Sequence, residues 1–231
     1  MEAIIKLNNQ TAGRDKIARL FQYLSKFIWH RLQKTNKNVE GIKHLEFQLS
    51  TFRRLLRFGR FAESLYGTLP LFQQDDKAIR YTIILSKIAN SLFLLADHIL
   101  WLGRADLCSV DTEKWGRISN KYWLYSITMN LIRDFYEISQ IIKAQKCYIL
   151  PKNCFSNIND LFKILIRIYI IIQGNQEVVI DTVKNSCDFF IPLTALGHIK
   201  LSPGTIGLLG VISSLAGLLV LLDPQKKLSP A

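Results

Sequence analysis

Four arginines, Arg53, Arg54, Arg57 and Arg60, stand within eight residues, with no acidic residue between Glu46 and Glu63. In a helix, Arg53, Arg57 and Arg60 share one face with Arg54 beside them, while Leu45, Leu49, Phe52 and Leu56 line another. Guanidinium groups on a helix with an apolar face fit an interfacial membrane helix. The apolar side enters the acyl region and the arginines bind phosphate headgroups. The residues expected at a membrane surface are therefore Arg53, Arg54, Arg57, Arg60, Leu49, Phe52 and Leu56. The competing reading is the solvated basic face of a soluble bundle.

Other chemistry is scarce. No glycine loop for phosphates, GxSxG elbow or HExxH pair occurs. His30, His44, His98 and His198 are scattered, and the cysteines at 108, 147, 154 and 187 form no CxxC or zinc spacing. Reduced thiols are expected. Asp97-His98 near Cys108 is the nearest approach to a reactive cluster, and a lone histidine in an apolar helix reads as structural. The chain is expected to be no enzyme and to hold no cofactor or metal.

The elements that carry these residues are helical. Ile17, Leu20, Phe21, Leu24, Phe27, Ile28 and Leu32 recur at helical spacing, and a break at Thr35–Asn38 precedes a second helix over 43–65. Together they make a basic amphipathic region over 1–66. Glu113–Lys146 is a long helix with two apolar stripes, so it contacts two neighbours, and Arg133 and Glu137 are spaced to pair. Pro151–Asn159 reads as a loop, and the apolar Leu161–Gln173 is too short to span.

Two segments are long enough to cross a bilayer. Leu201–Leu222 has no charge and as a helix reaches ~33 Å, close to the hydrocarbon thickness of ~30 Å. Gly207, Gly210, Ser213, Ser214 and Gly217 gather on one side of it, with Leu208, Ile212, Leu215 and Leu219 opposite. A small-residue face lets a second helix approach closely, so Gly207, Gly210, Ser214 and Gly217 are expected to mediate self-association. Tyr81–Leu102 is interrupted by Lys87 and Asp97, which lie about 80° apart round the helix and cannot pair with each other. It is either a span or a half-buried helix against other protein.

The 231 residues carry 30 Lys and Arg against 18 Asp and Glu, a net charge of +12, with 49% apolar residues and a mean hydropathy of +0.14. So apolar a chain does not stay disordered. Residues 1–60 hold 13 basic and 4 acidic residues, so charge and apolar surface are segregated along the sequence. That segregation favours an anionic phospholipid membrane over nucleic acid, which leaves the uncharged 22-residue stretch unexplained. It also favours a cytosolic N-terminus by the positive-inside rule. The expected fold is all-α, one unit over residues 1–231, with N-terminal amphipathic helices and a C-terminal transmembrane helix.

Six ordered segments resemble the peroxin-eleven family of peroxisomal membrane proteins. They are GRDKIARLFQY, LSTFRRLLRFGR, LADHILWLGR, KYWLYSITMNLIRDFYEI, DTVKNSCDFFIPL and GTIGLLGVISSLAG, spread from Gly13 to Lys227. The resemblance implies an integral peroxisomal membrane protein that elongates the membrane before fission. It implies self-association, and partnership with a tail-anchored fission adaptor and a dynamin-related GTPase. The curvature-promoting helix of the family maps here onto Leu49–Leu65. The alternative implied role is a channel for small metabolites, for which Lys87, Asp97, Arg133 and Glu137 are the polar candidates. The segment Cys147–Asn159 is short where some relatives have a longer glycine-rich insert, so the resemblance does not carry insert-dependent behaviour over to this chain.

Overall fold

The computed structural model describes residues 10–33, 35, 38–149 and 172–229. Its helices are α1 (Thr11–Gln33), α2 (Glu40–Leu56), α3 (Arg60–Tyr66), α4 (Lys77–Arg104), α5 (Thr112–Ile149), α6 (Gln176–Ala195) and α7 (Pro203–Leu222). Short 3-10 turns occur at Leu69–Gln73 and Pro224–Lys226, and no strand occurs among the described residues. The fold is all-α, as expected. The expected loop at Pro151–Asn159 and residues 161–171 of the apolar segment lie outside the described residues.

Helix ends follow local chemistry. The Asp76 side chain accepts from the backbone N–H groups of Ala78 and Ile79 and so caps α4. Ser202 caps α7 through the Thr205 N–H, with Pro203 at the first helical position. The single helix expected over 43–65 is instead two. Gly59 adopts φ +80, a left-handed conformation that ends one helix and starts the next, so α3 turns away from the axis of α2.

The neighbours run α2, α1, α7, α6, α5, α4 and back to α2, a closed ring, with α3 packed on α4. α1 and α7 are antiparallel. His30 lies against Gly204, Phe27 against Gly207, Tyr23 against Gly210 and Lys16 against Gly217. A Cβ at Gly207 would sit 2.7 Å from the Phe27 backbone nitrogen, so the two helices meet backbone to backbone.

Polarity is inverted relative to a water-soluble bundle. The buried set includes Asp15, Arg19, Arg53, Asp97, Arg133, Asp134, Asn185, Asp188, Ser213 and Ser214. The exposed set includes Phe21, Leu24 and Ile28 of α1, Leu85, Ile88 and Leu92 of α4, Ile132 and Phe135 of α5, and Leu208, Leu215 and Leu219 of α7. In water such a shell is unfavourable by about 25 cal/mol per Å² of apolar surface; in a bilayer that penalty disappears. α4 and α7 are long and apolar enough to cross a membrane. Of their most apolar stretches 56% is buried in α4 and 33% in α7, so α4 is the more protein-packed of the two.

Candidate functional site: a charged chamber in an apolar shell

Inside the ring lies a cavity of about 410 Å³, partly open to the surface and lined from α1, α2, α3, α4, α5 and α6. Its walls are held by ion pairs between helices distant in sequence. Arg53 Nε donates to Asp15 Oδ1 at 3.0 Å and its Nη1 to Gln22 at 2.7 Å, tying α2 to α1. Arg54 Nε donates to Asp97 Oδ1 at 2.7 Å, and Arg57 Nη2 lies 2.6 Å from Asp97 Oδ2, tying α2 to α4. Arg57 also stands 3.8 Å from Asp15, between the two carboxylates. Arg19 pairs with Asp188, joining α1 to α6, and its guanidinium lies over the Tyr23 and Trp123 rings.

A second cavity, about 310 Å³, contains Lys87, Arg133, Asp181 and Lys227 in its lining. The two cavities share Asn90, Ser126, Asn130 and Lys184, so they lie side by side in the ring with a common polar wall. Beside it Arg133 pairs with Asp134 and Asp181, while Asn185 donates to Asp134 at 2.7 Å. The spaced Arg133–Glu137 pair is present at 3.9 Å.

The arginine cluster is therefore arranged differently from the outward face the sequence predicts. Arg53, Arg54 and Arg57 point into the ring because Asp15 and Asp97 wait there. Burying them unpaired would be prohibitive, and pairing makes it tolerable. Arg60 stands at the edge of the same cavity, 38% exposed in its side chain and 3.7 Å from Glu63. The apolar positions do reach the outside of α2. Phe52 is exposed together with Leu45 and Leu55, and Leu49 and Leu56 are half-buried.

The small-residue face of α7 is also placed differently. Gly207, Gly210 and Gly217 close against α1 of the same molecule, and Ser214 is fully buried with its hydroxyl donating to the Gly210 carbonyl. The partner helix that this face requires is intramolecular. Leu208, Ile212, Leu215 and Leu219 face outward, as the pattern predicts.

Of the four polar channel candidates, Lys87 and Arg133 line the second cavity and Asp97 the first, whereas Glu137 flanks Arg133. His98 bonds the Arg57 carbonyl at 3.1 Å and packs on Phe58 and Phe61, a structural role. Cys108 and Cys187 are free thiols. Among the described residues no group of His, Cys, Asp and Glu could hold a metal. The sequence reading missed Asp181, Lys184, Asn185 and Asp188 of α6. Their recurrence at steps of three, one and three is the signal: a polar stripe on an otherwise apolar helix.

Peroxisomal membrane protein 11B of Bos taurus is 31% identical over 258 residues, covering all of both chains. Peroxisomal membrane protein 11A of Bos taurus is 32% identical over 245 residues, covering 99% of each. A homologue from Dictyostelium discoideum, Peroxisomal membrane protein 11 homolog, is 28% identical over 235 residues, covering 94% of this chain and 92% of the relative. No solved structure matches the chain. Residues 1–222 match the family described as Peroxisomal biogenesis factor 11, and with relatives this similar over their whole length the chain belongs to that family.

Proposed function

We propose that this protein is an integral component of the peroxisomal membrane that elongates and remodels it ahead of fission, without an enzymatic step. The observation that carries the reading is the inverted polarity: ion pairs inside the ring, leucines and phenylalanines outside. On this reading α7 and α4 span the bilayer, and α1 follows α7 along its length. The outer face of α2, with Leu45, Phe52 and Leu55, lies in one leaflet and widens it. Arg60 supplies a headgroup contact, and Arg53, Arg54 and Arg57 fix the wedge to the bundle. Self-association sums small wedges into a tube, through outward faces rather than the glycine face of α7. The family resemblance extends the reading to a cytosolic N-terminus, a tail-anchored fission adaptor and a dynamin-related GTPase.

The test is reconstitution of the full chain into vesicles containing anionic lipid, imaged by electron microscopy. Tubules are expected, and Leu45→Ser with Phe52→Ser and Leu55→Ser should abolish them while helix content and membrane integration persist. Tubulation by that variant equal to wild type rejects the α2 wedge.

One observation favours a second reading, passage of small solutes. Two polar cavities lie side by side, with Asn90, Ser126, Asn130 and Lys184 as their common wall, within a closed ring of helices. Unitary conductance in planar bilayers, altered by Asn130→Leu, supports it, and a silent bilayer containing folded protein rejects it.

A further inference from the structure

The charge inside the larger cavity does not balance. Four arginines, Arg19, Arg53, Arg54 and Arg57, face three carboxylates, Asp15, Asp97 and Asp188. Asp97 serves two of them. Arg60 and Lys184 also line the wall, but each has an acid beside it, Glu63 for Arg60 and, for Lys184, Asp181, which also pairs with Arg133. Lys16 also lines the wall, and among the described residues no carboxylate lies within ion-pair distance of it. The excess over the pairs is therefore one positive charge, and two when Lys16 is protonated.

Donors are left over as well as charge. Arg54 Nη1 and Arg19 Nε are buried without a hydrogen-bond partner among the described residues. Buried guanidinium nitrogens are normally satisfied, and an unsatisfied one marks a missing acceptor. The end of the Lys16 side chain runs beside α7, its Nζ, Cε and Cδ lying 3.1–3.3 Å from where a Cβ of Gly217 would be, with room to swing toward the chamber it lines. Asn130 adds an amide at the same space, while the Asn90 and Asn120 amide nitrogens already donate to Ser64 and to the Gly116 carbonyl. A volume of about 410 Å³ falls within the range for small-ligand sites. An ion that brings two negative charges and several acceptor oxygens to arginine, lysine and amide donors is a phosphate group, which arginine forks bind bidentately.

We propose that this chamber is a binding site for a phosphate-bearing anion, held by Lys16, Arg54 and Arg19. The site needs neither the membrane wedge nor solute conduction. Occupancy neutralises the chamber, so the bound anion holds α1 and α2 together.

The experiment uses the full chain in nanodiscs of phosphatidylcholine. Inorganic phosphate and glycerol 3-phosphate are titrated at constant ionic strength against chloride, with the unfolding midpoint and heat of binding as readouts. A parallel disc carries phosphatidic acid with no soluble phosphate, to separate a lipid headgroup from a free anion. Saturable stabilisation by the soluble phosphates, or by phosphatidic acid alone, assigns the source. In either case Lys16→Met should weaken binding about tenfold or more, the loss of a charge-assisted contact. The ligand-free variant should melt no lower than wild type, since it loses a buried cation that has no ion-pair partner.

A second measurement on wild type guards against a variant that fails to fold. Modification of Lys16 by an amine-reactive reagent, read by mass spectrometry, should slow when the phosphate is present. Chloride matching phosphate in effect, no stabilisation in any arm, or undiminished binding by Lys16→Met overturns the assignment. So does Lys16 labelling that phosphate leaves unchanged.

Discussion

Replacing Gly207 by alanine puts a methyl carbon 2.7 Å from the Phe27 backbone nitrogen and 3.0 Å from its Cα. Carbon contacts settle near 3.5–4.0 Å, and a backbone atom has no rotamer through which to retreat. α1 and α7 must therefore separate along their closest approach. Overpacking of this kind costs about 1–3 kcal/mol, partly offset by up to ~1 kcal/mol of helix propensity gained over glycine. The net loss is about 2 kcal/mol at the upper end, or about 4–8 °C in the midpoint for a chain of this size. Gly217→Ala is the internal control. Its nearest neighbours are the Lys16 side-chain atoms at 3.1–3.3 Å, which can swing aside, so its midpoint should barely move. The assay is thermal unfolding of the detergent-solubilised full chain by circular dichroism, with chemical crosslinking on the same samples. Gly207→Ala should lower the midpoint and leave dimers unchanged. If the midpoint holds while crosslinked dimers fall, the glycine face contacts another molecule and the α1–α7 argument is wrong.

Asp97→Asn strands Arg54 and Arg57 and should cost about 3–5 kcal/mol, read as increased protease sensitivity of α2 relative to α5; equal sensitivity would show that α2 does not depend on this carboxylate. Gly59→Ala forces a side chain into φ +80 and should destabilise by about 1–2 kcal/mol in the same melt, and an unchanged midpoint would remove the turn from the argument. The Tyr136 hydroxyl donates to Asp76 at 2.9 Å, and with the Ala78 and Ile79 N–H groups holds that carboxyl below the usual carboxylate range. Stability from a depressed carboxylate is present above its unfolded pKa and lost as pH falls through the folded value. Tyr136→Phe should therefore lower the melting midpoint at neutral pH, with the gap to wild type closing in acid. A gap independent of pH would assign the effect to packing.

Much of the fold was legible because period and length survive in one sequence. The uncharged stretch that became α7, the long α5 and the cationic pattern of α2 are local properties of residues near one another. What was not legible is where a face points. Arg53 meets Asp15 at a separation of 38 residues and Arg54 meets Asp97 at 43, and periodicity carries no information over such distances. A cationic stripe looks the same whether headgroups or aspartates await it. The hint was the solitary acids: Asp97 stands in an apolar helix where an unpaired carboxylate is expensive, so it demanded a cation from elsewhere. The glycine face of α7 was likewise readable as a close-contact surface, but its partner was not, since α1 lies nearly the whole chain away.

The docked position of α2 follows from comparing two destinations for its arginines. A basic residue near an anionic leaflet gains ~1 kcal/mol, so Arg53, Arg54 and Arg57 gain ~3 kcal/mol at most, less with salt. Leaving the ring strands Asp15 and Asp97, each buried and each worth about 3–5 kcal/mol when its partner is removed, a loss of about 6–10 kcal/mol. The ring wins, and the arginines stay inside. What remains for the membrane is the outer face of α2, where Leu45, Phe52 and Leu55 face outward from a helix whose opposite side is bolted to α1 and α4. In the proposed wedge role, a helix so anchored could not rotate to relieve leaflet strain, as a free amphipathic peptide can. The buried ion pairs would then transfer the asymmetry of one helix to the whole bundle.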